Sequence, residues 1–274
     1  SGHILFTVRV PGGDMRNLKQ HMPGGYTEQY MDTKVAIYCS RCVYPEGICG
    51  TYNRKDHGMS IVSNYIWEKG TDGGRNPVSL AVQQVKLQVG LQGREICLFC
   101  VCESMKEEPG GRMTERLVEW FHKSCLPACG GRRLPTPREM LDQELYSIRK
   151  DLLGLEENLQ QDGINYAGLL LIGSSFYLFG EGDMKVQLVN YRYNRPQLRE
   201  LEVPLSGRIQ KGVGLLLHTP QFTESLDPAE VCQILHGEGR WQEERIGRRL
   251  KELFQEGRSR GSTGAVGGIY LHVL

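Results

Sequence analysis

Carboxylate side chains follow an apolar run in the first half of the chain. The run over 95–102 leads into Glu103, and Glu107 and Glu108 come soon after it, while Asp56 and Glu224 are candidates elsewhere. Hard divalent cations such as Mg²⁺ and Mn²⁺ bind oxygen ligands, and a bound cation can activate a water molecule for attack. These acids could therefore hold a catalytic metal, although carboxylates just before a helix are also favoured by the helix dipole alone.

Cysteines offer a second kind of site. The chain has 9 of them, and two pairs, Cys39 with Cys42 and Cys97 with Cys100, have the C-x-x-C spacing of zinc ligands, with Cys49 nearby. Residues three apart on a strand point to opposite faces, so Cys97 and Cys100 are poor chelators unless a turn separates them. Zinc at the first pair stays open as an alternative. Most cysteines lie in apolar runs, which is typical of buried thiols in a reducing cytoplasm.

Length and charge exclude several classes of protein. The 274 residues favour one large domain, and 33 basic against 32 acidic residues give a formal net charge of +1. This balance gives no reason to expect binding to nucleic acid or to an anionic membrane surface. The longest apolar runs are well short of the roughly 20 residues that a membrane span needs. No charged and apolar leader opens the sequence, and we expect a cytoplasmic protein.

The spacing of apolar residues predicts an order of strands, two helices, strands, two helices and a final strand. Helices are expected over 112–124 and 138–161, then from Asp227, where a capping box with Glu230 opens a helix, and over 240–255, with a loop over 125–137. The second helix carries an apolar stripe of Leu141, Leu145, Ile148, Leu152, Leu155 and Leu159. Strands are expected over 3–10, 34–42, 58–67, 82–89, 95–102, 166–172, 176–180, 185–192, 197–203 and 213–218, and in the closing apolar segment. This order predicts an α+β fold of two packed antiparallel sheets with helices outside.

Four junctions between apolar strands and turns carry a resemblance to a known family. They read Cys-Glu103-Ser104-Met before a helix, Gly182-Asp183 within a hairpin, Thr-Pro220-Gln after an apolar run, and Gly264-Ala before the last strand. In this order they resemble the junctions of the PPM-type (type 2C) metal-dependent Ser/Thr protein phosphatases, over roughly residues 30 to 273. In that family the corresponding turns read Asp-Gly-Met-Gly-Gly, Gly-Asp-Ser-Arg, Ser-Asp-Gly and Asp-Asn.

The resemblance assigns a role to each position. Glu103 stands at the family's metal-bridging aspartate, and Ser104 replaces the glycine whose carbonyl is also a ligand. Pro220 and Gly264 stand where two essential metal aspartates would be. A loose match over 50–58 to the family's Arg-x-x-Asn-x-Asp segment makes Asp56 the remaining metal aspartate, with Thr51 or Arg54 near the place of its phosphate-binding arginine.

The hairpin position differs from the others because it keeps the family residues. Gly182 and Asp183 match the Gly-Asp of the family's turn. The resemblance assigns that aspartate a mainly structural role, so its retention predicts the fold and not the activity.

The resemblance implies a four-layer αββα sandwich, formed by one domain over 1–274 in which residues 1–30 are an atypical N-terminal extension. Proline and glycine supply no carboxylate, so Asp56 and Glu103 are expected to be vestigial ligands and no cofactor is expected. The predicted function is a catalytically inactive phosphatase-like domain that binds or regulates a kinase or phosphoprotein. A divergent phosphatase with a shifted Mg²⁺ or Mn²⁺ site among the acids named first is an alternative, and a zinc-binding α+β protein is another.

Overall fold

The computed structural model describes residues 35–39, 59–68, 78–89, 92–104, 107–131, 133–154, 164–192, 195–236 and 242–274. The strands of these residues are β1 (Val35–Cys39), β2 (Ile61–Glu68), β3 (Val78–Val89), β4 (Gln92–Ser104), β5 (Ile164–Ile172), β6 (Ser175–Glu181), β7 (Lys185–Arg192), β8 (Arg195–Glu200), β9 (Leu205–Arg208), β10 (Gly214–His218) and β11 (Val266–Val273). The helices are α1 (Glu107–Trp120), α2 (Leu126–Cys129), α3 (Pro137–Gly154), α4 (Pro228–His236) and α5 (Glu243–Ser259).

The strands form two antiparallel sheets. The first sheet has the order β1-β3-β4-β5-β6-β9, and the second has the order β2-β11-β10-β7-β8. Strands β3, β4, β5 and β6 follow one another along the chain, and each pairs antiparallel with the next. The last strand, β11, lies inside the second sheet between β2 and β10, so residues far apart in sequence meet there.

Three apolar clusters hold four layers together. One joins α1 and α3 to the outer face of the first sheet and includes Leu117, Leu141 and Leu98. The second lies between the two sheets and includes Phe99 and Leu169, and the third joins α4 and α5 to the second sheet. Along β4 the side chains alternate between the first two clusters, as the pleat of a strand requires. The expected α+β fold, an αββα sandwich, is therefore confirmed.

The helix signals in the sequence are largely confirmed. The α4 cap is the expected capping box, in which the Ala229 amide donates to Asp227 Oδ1 at 2.7 Å and the Asp227 amide to Glu230 Oε2 at 3.1 Å. The stripe of α3 is buried from Leu141 to Leu152. The predicted continuation of α3 to 161 falls in residues 155–163, which lie outside the described part of the chain. The strand predicted over 3–10 also lies outside it.

Other predicted boundaries were wrong for physical reasons. Helix α1 begins at Glu107 and not at 112, because Pro109 falls in the first turn, where a helix tolerates proline. A short π-helical stretch, Phe121–Cys125, then leads into α2, where a loop was predicted, because Leu126 and Cys129 are buried against the first sheet. Strand β9 was missed because it is four residues long and exposed.

Candidate functional site

Glu103 and Ser104 lie at the end of β4, where the resemblance placed a metal site. Val101 packs between the sheets and Cys102 packs toward α1, so by alternation Glu103 faces the space between the sheets. Its neighbours in register are Val78 at the start of β3 and Asn165 in β5. Glu103 is 4 % exposed. Val78, Glu103 and Asn165 are named here the β4 row.

A second row of residues faces the β4 row from the second sheet. Trp67 of β2 pairs with Gly267 of β11, and Gly267 in turn lies beside Thr219. The Thr219 amide donates to the Gly267 carbonyl at 2.9 Å, and the Gly267 amide donates to Thr219 Oγ1 at 3.2 Å. Trp67, Gly267 and Thr219 are named here the β11 row.

The two rows are in direct contact. Trp67 Nε1 donates a hydrogen bond to the Val78 carbonyl across the sheets at 2.5 Å. A Cβ atom on Gly267 would overlap Val78 Cγ1, and it would also lie 3.3 Å from Val101 Cγ1. Val78 belongs to the same apolar cluster as Phe99 and Leu169, so the core between the sheets extends as far as Glu103.

Pro220 and Gly264 lie in two turns that contact each other beside the β11 row. Pro220 begins a single 3₁₀ turn and is separated from β10 by Thr219 alone, and Gly264 is separated from β11 by Ala265 alone. A Cβ atom on Gly264 would be 3.0 Å from Gln221 Cγ, and Ser262 Oγ donates to the Gln221 carbonyl at 3.1 Å. Glu103, Pro220 and Gly264 thus lie at one end of the sandwich. Asp56 lies outside the described residues, and its assignment stays a prediction.

An arginine holds the turn that contains Gly264. Arg258, in the last turn of α5, donates from Nη1 to the Ser262 carbonyl at 2.7 Å and from Nη2 to the Gly264 carbonyl at 2.9 Å. Its guanidinium also lies 5.0 Å from the centre of the Phe254 ring. A permanent positive charge is therefore bound to the backbone of the turn in which the resemblance would require a metal carboxylate.

The Ser104 side chain fits at this junction because a glycine faces it. A Cβ atom on Gly110 of α1 would be 3.1 Å from Ser104 Cβ, and the Gly110 carbonyl accepts a hydrogen bond from Ser79 Oγ at 2.8 Å. Ser104 and Gly110 are both buried. This contact fixes the start of α1 against the first sheet.

The Gly182-Asp183 turn connects β6 to β7 at the same end of the sandwich. Gly182 has a φ of +79°, which favours glycine, and a Cβ atom there would overlap Asn165 Oδ1. Asp183 is exposed. The turn packs Gly182 against Asn165, which pairs with Glu103, and the structural role of Asp183 stays a prediction.

His218 is a titratable residue near the site that the sequence reasoning did not single out. Its Nδ1 lies 2.7 Å from the Thr219 carbonyl oxygen, and its ring packs 5.8 Å from that of Phe222. Burial lowers the pKa of His218 to about 4, so the ring is neutral near pH 7. Because Leu217 faces the space between the sheets, His218 faces the helices and not Glu103.

Neither the shifted Mg²⁺ or Mn²⁺ site nor the zinc site has a complete set of ligands in the described part of the chain. No group of three or more His, Cys, Asp or Glu residues there could hold a metal ion. Cys97 and Cys100 point to opposite faces of β4, as expected. Cys42 and Cys49 lie outside the described residues, so zinc at the first cysteine pair stays untested.

Comparison with known proteins identifies the fold. No family model and no curated protein matches the sequence. A bacterial serine phosphatase superposes with a TM-score of 0.61 at 13 % identity, covering 77 % of this chain and 97 % of its own. The catalytic domain of the serine threonine protein phosphatase PstP, in complex with 2 manganese ions, gives 0.58 at 14 % identity, covering 79 % and 99 %. Stp1 from Staphylococcus aureus gives 0.56 at 14 %, covering 82 % and 99 %.

These similarities define the class of fold. The chain has the fold of the PPM-type Ser/Thr protein phosphatases, although its sequence identity to them is low. The described residues contain no helix with the length and apolar character needed to cross a membrane.

Proposed function

We propose that this chain is a catalytically inactive phosphatase-like domain, a pseudophosphatase, that works as a binding or regulatory module in phospho-signalling. The observation that carries the proposal is the contact of Val78 with Gly267 beside Glu103. Val78 packs against Gly267 at the end of the sandwich where a metal-dependent phosphatase would need space, water and oxygen ligands.

The charges at this end support the same proposal. A pair of divalent cations carries four positive charges, and several carboxylates must balance them. Of the four positions that match metal ligands and belong to the described residues, Glu103 alone supplies a carboxylate, since the others are Ser104, Pro220 and Gly264. The Arg258 guanidinium, bound to the Gly264 carbonyl, would further repel a cation.

The rest of the proposal rests on analogy with other proteins of this fold. We infer a single domain over 1–274, a cytoplasmic location, and a kinase or phosphoprotein as the partner. PppA, a further structure with this fold, is described as a key regulatory component of T6SS in Pseudomonas aeruginosa. A domain that keeps the frame of a phosphatase and binds without turnover would act in a comparable regulatory position.

Hydrolysis of p-nitrophenyl phosphate with added Mn²⁺ or Mg²⁺ tests the loss of activity. The parent protein is expected to show the same background rate as its Glu103→Ala variant and as metal-free protein. The surface variant Glu252→Gln, on the exposed side of α5, controls for traces of a contaminating phosphatase. Metal-dependent hydrolysis that survives Glu252→Gln and disappears in an Asp56→Ala, Glu103→Ala double variant would show a working, shifted metal site.

A further inference from the structure

Strand β9 is the edge strand of the first sheet. It is the last strand in the order of that sheet, and its single neighbour among the described strands is β6. All four of its residues are exposed, and Leu205 is among the large hydrophobic residues that are exposed in the described part of the chain. An edge strand presents a row of main-chain N–H and C=O groups that can pair with a further strand. The free edge of β9 is therefore a candidate site for the addition of a strand.

The inner face of β9, which is directed toward the second sheet, is apolar. Leu205 pairs with Leu178 and Gly207 pairs with Phe176, and both of these β6 residues pack in the cluster between the sheets. The half-buried Phe176 ring lies over Gly207, since a Cβ atom there would be 3.0 Å from Phe176 Cε1. The ring thus reaches the edge strand, where an apolar side chain of an added strand would contact it.

Three basic side chains lie along the same side of the sandwich. Arg208 is in β9 and lies on its outer face, toward the helices, because it follows Gly207 by one residue. Lys211 comes three residues later, and Arg199 lies in β8, the edge strand of the second sheet, which leads into β9 through residues 201–204. The three side chains are exposed, and within the described ranges none of them has a hydrogen bond or an ion pair. All three are therefore available to an anionic ligand.

Acidic side chains are fewer over the same segment. Glu200 of β8 is paired, since Lys185 Nζ lies 2.7 Å from Glu200 Oε1. Glu202 is exposed and has no such pair in the described part of the chain, so the unpaired charges over 197–212 are three positive and one negative. This excess favours a partner with acidic side chains. A second copy of this chain fits less well, because its own residues 205–211 include two cations and no acid.

We propose that the free edge of β9 binds a short extended segment of a protein partner, in which apolar and acidic residues alternate. Main-chain hydrogen bonds to β9 supply affinity, and the alternating side chains supply specificity. The apolar side chains lie on the inner face, beside Leu205 and Phe176, and the acidic ones lie on the outer face, opposite Arg208. This surface goes beyond the proposed function and does not depend on it, because β5 and β6 separate β9 from the strand that ends with Glu103.

Nuclear magnetic resonance of isotope-labelled leucine amides tests this surface directly, with a Leu205→Val variant to assign the Leu205 signal. Titration with the peptide acetyl-Val-Glu-Val-Glu-Val-Glu-amide is expected to shift the Leu205 signal to saturation, with weaker binding at high salt. Acetyl-Val-Lys-Val-Lys-Val-Lys-amide keeps the alternation and reverses the charge, and acetyl-Val-Val-Val-Glu-Glu-Glu-amide keeps the charge and removes the alternation. Both control peptides are expected to shift the signal much less at the same concentration.

A matched pair of variants then tests the role of Arg208. Arg208→Glu should raise the dissociation constant of the alternating Val-Glu peptide, measured in the same titration, by about three- to tenfold, because like charges then face each other across the strands. Arg248→Glu makes the same change of charge at an exposed position of α5, which packs on β2 of the other sheet, and should leave the dissociation constant unchanged. Both side chains are exposed, so both variants are expected to unfold at the temperature of the parent.

Four outcomes would overturn the proposal. The first is no shift of the Leu205 signal with the alternating Val-Glu peptide, and the second is an equal shift with either control peptide. The third is binding that Arg208→Glu leaves unchanged. The fourth is a Leu205 shift that depends on protein concentration without peptide, which would assign the edge to a second copy of this chain. None of these outcomes depends on phosphate hydrolysis, so the loss of activity is judged separately.

Discussion

Glu95 is a buried carboxyl group between the two sheets, at the end of β4 opposite to Glu103. It is 6 % exposed, and its Oε2 has no hydrogen-bond partner in the described part of the chain. Burial raises the pKa of Glu95 to about 7 from 4.5, although the positive charge of Lys86, its neighbour on β3, partly offsets the rise. The group is therefore protonated in the folded protein over a range where it is ionised in the unfolded chain.

This difference makes the stability depend on pH. Between about pH 4.5 and pH 7 the folded state holds a proton at Glu95 that the unfolded state has lost, so stability falls as pH rises through that range. The full difference corresponds to at most about 3 kcal/mol of unfolding free energy above pH 7. Glu95→Gln keeps the shape of the protonated group and removes its titration.

Urea denaturation followed by circular dichroism at several pH values measures the effect. We expect Glu95→Gln to match the parent within about 1 kcal/mol near pH 4.5 and to be more stable by about 2 to 3 kcal/mol near pH 8. Glu252→Gln reports the effect of removing one surface charge. A difference between Glu95→Gln and the parent that is the same at both pH values would refute the assignment of Glu95 as a buried, protonated carboxyl.

Three further predictions concern residues near the candidate site. The parent should lose stability as pH falls from about 6.5 to 4, because the pKa of His218 is about 6.5 in the unfolded chain and about 4 in the folded protein. His218→Leu should abolish this loss, and urea denaturation at several pH values measures the difference in stability between the variant and the parent. Gly267→Ala should cost about 1 to 3 kcal/mol in urea denaturation because its Cβ would overlap Val78, and a second change, Val78→Ala, should recover part of the loss; a neutral Gly267→Ala would contradict the close contact of the rows. Arg258→Met should cost about 1 to 3 kcal/mol in thermal unfolding because the Ser262 and Gly264 carbonyls lose their donors, whereas an unchanged midpoint would show that the turn does not need the guanidinium.

The order of the elements and the junctions of the site could be predicted from the sequence. Glu103 lies at the end of β4, Pro220 follows β10 and Gly264 precedes β11, and the antiparallel pairing of β10 with β11 brings the last two to the same edge of the second sheet. The α4 cap was predicted because a capping box depends on four neighbouring residues only. Sequence patterns of this kind predict a structural feature whenever the interactions that produce it lie within one helix, strand or turn.

The contacts that close the site could not be predicted in this way. Val78 and Gly267 are far apart in sequence, and their contact depends on the register of two sheets and on how closely the sheets pack. Trp67 appeared as one more apolar residue of a strand, and its exposure and its bond to the Val78 carbonyl become visible only in three dimensions. Arg258 lies in the last turn of α5, where a cation suits the helix dipole, but its hydrogen bonds to the turn around Gly264 depend on the folded structure.

Direct measurement of Mn²⁺ binding tests the central claim, which is that this phosphatase fold has lost its metal centre. Isothermal titration calorimetry of metal-free protein with MnCl₂ is expected to show no saturable binding at micromolar concentrations, and no difference between the parent and Glu103→Ala. Stoichiometric binding of Mn²⁺ with micromolar or tighter affinity, lost in Glu103→Ala and retained in Glu252→Gln, would contradict the account.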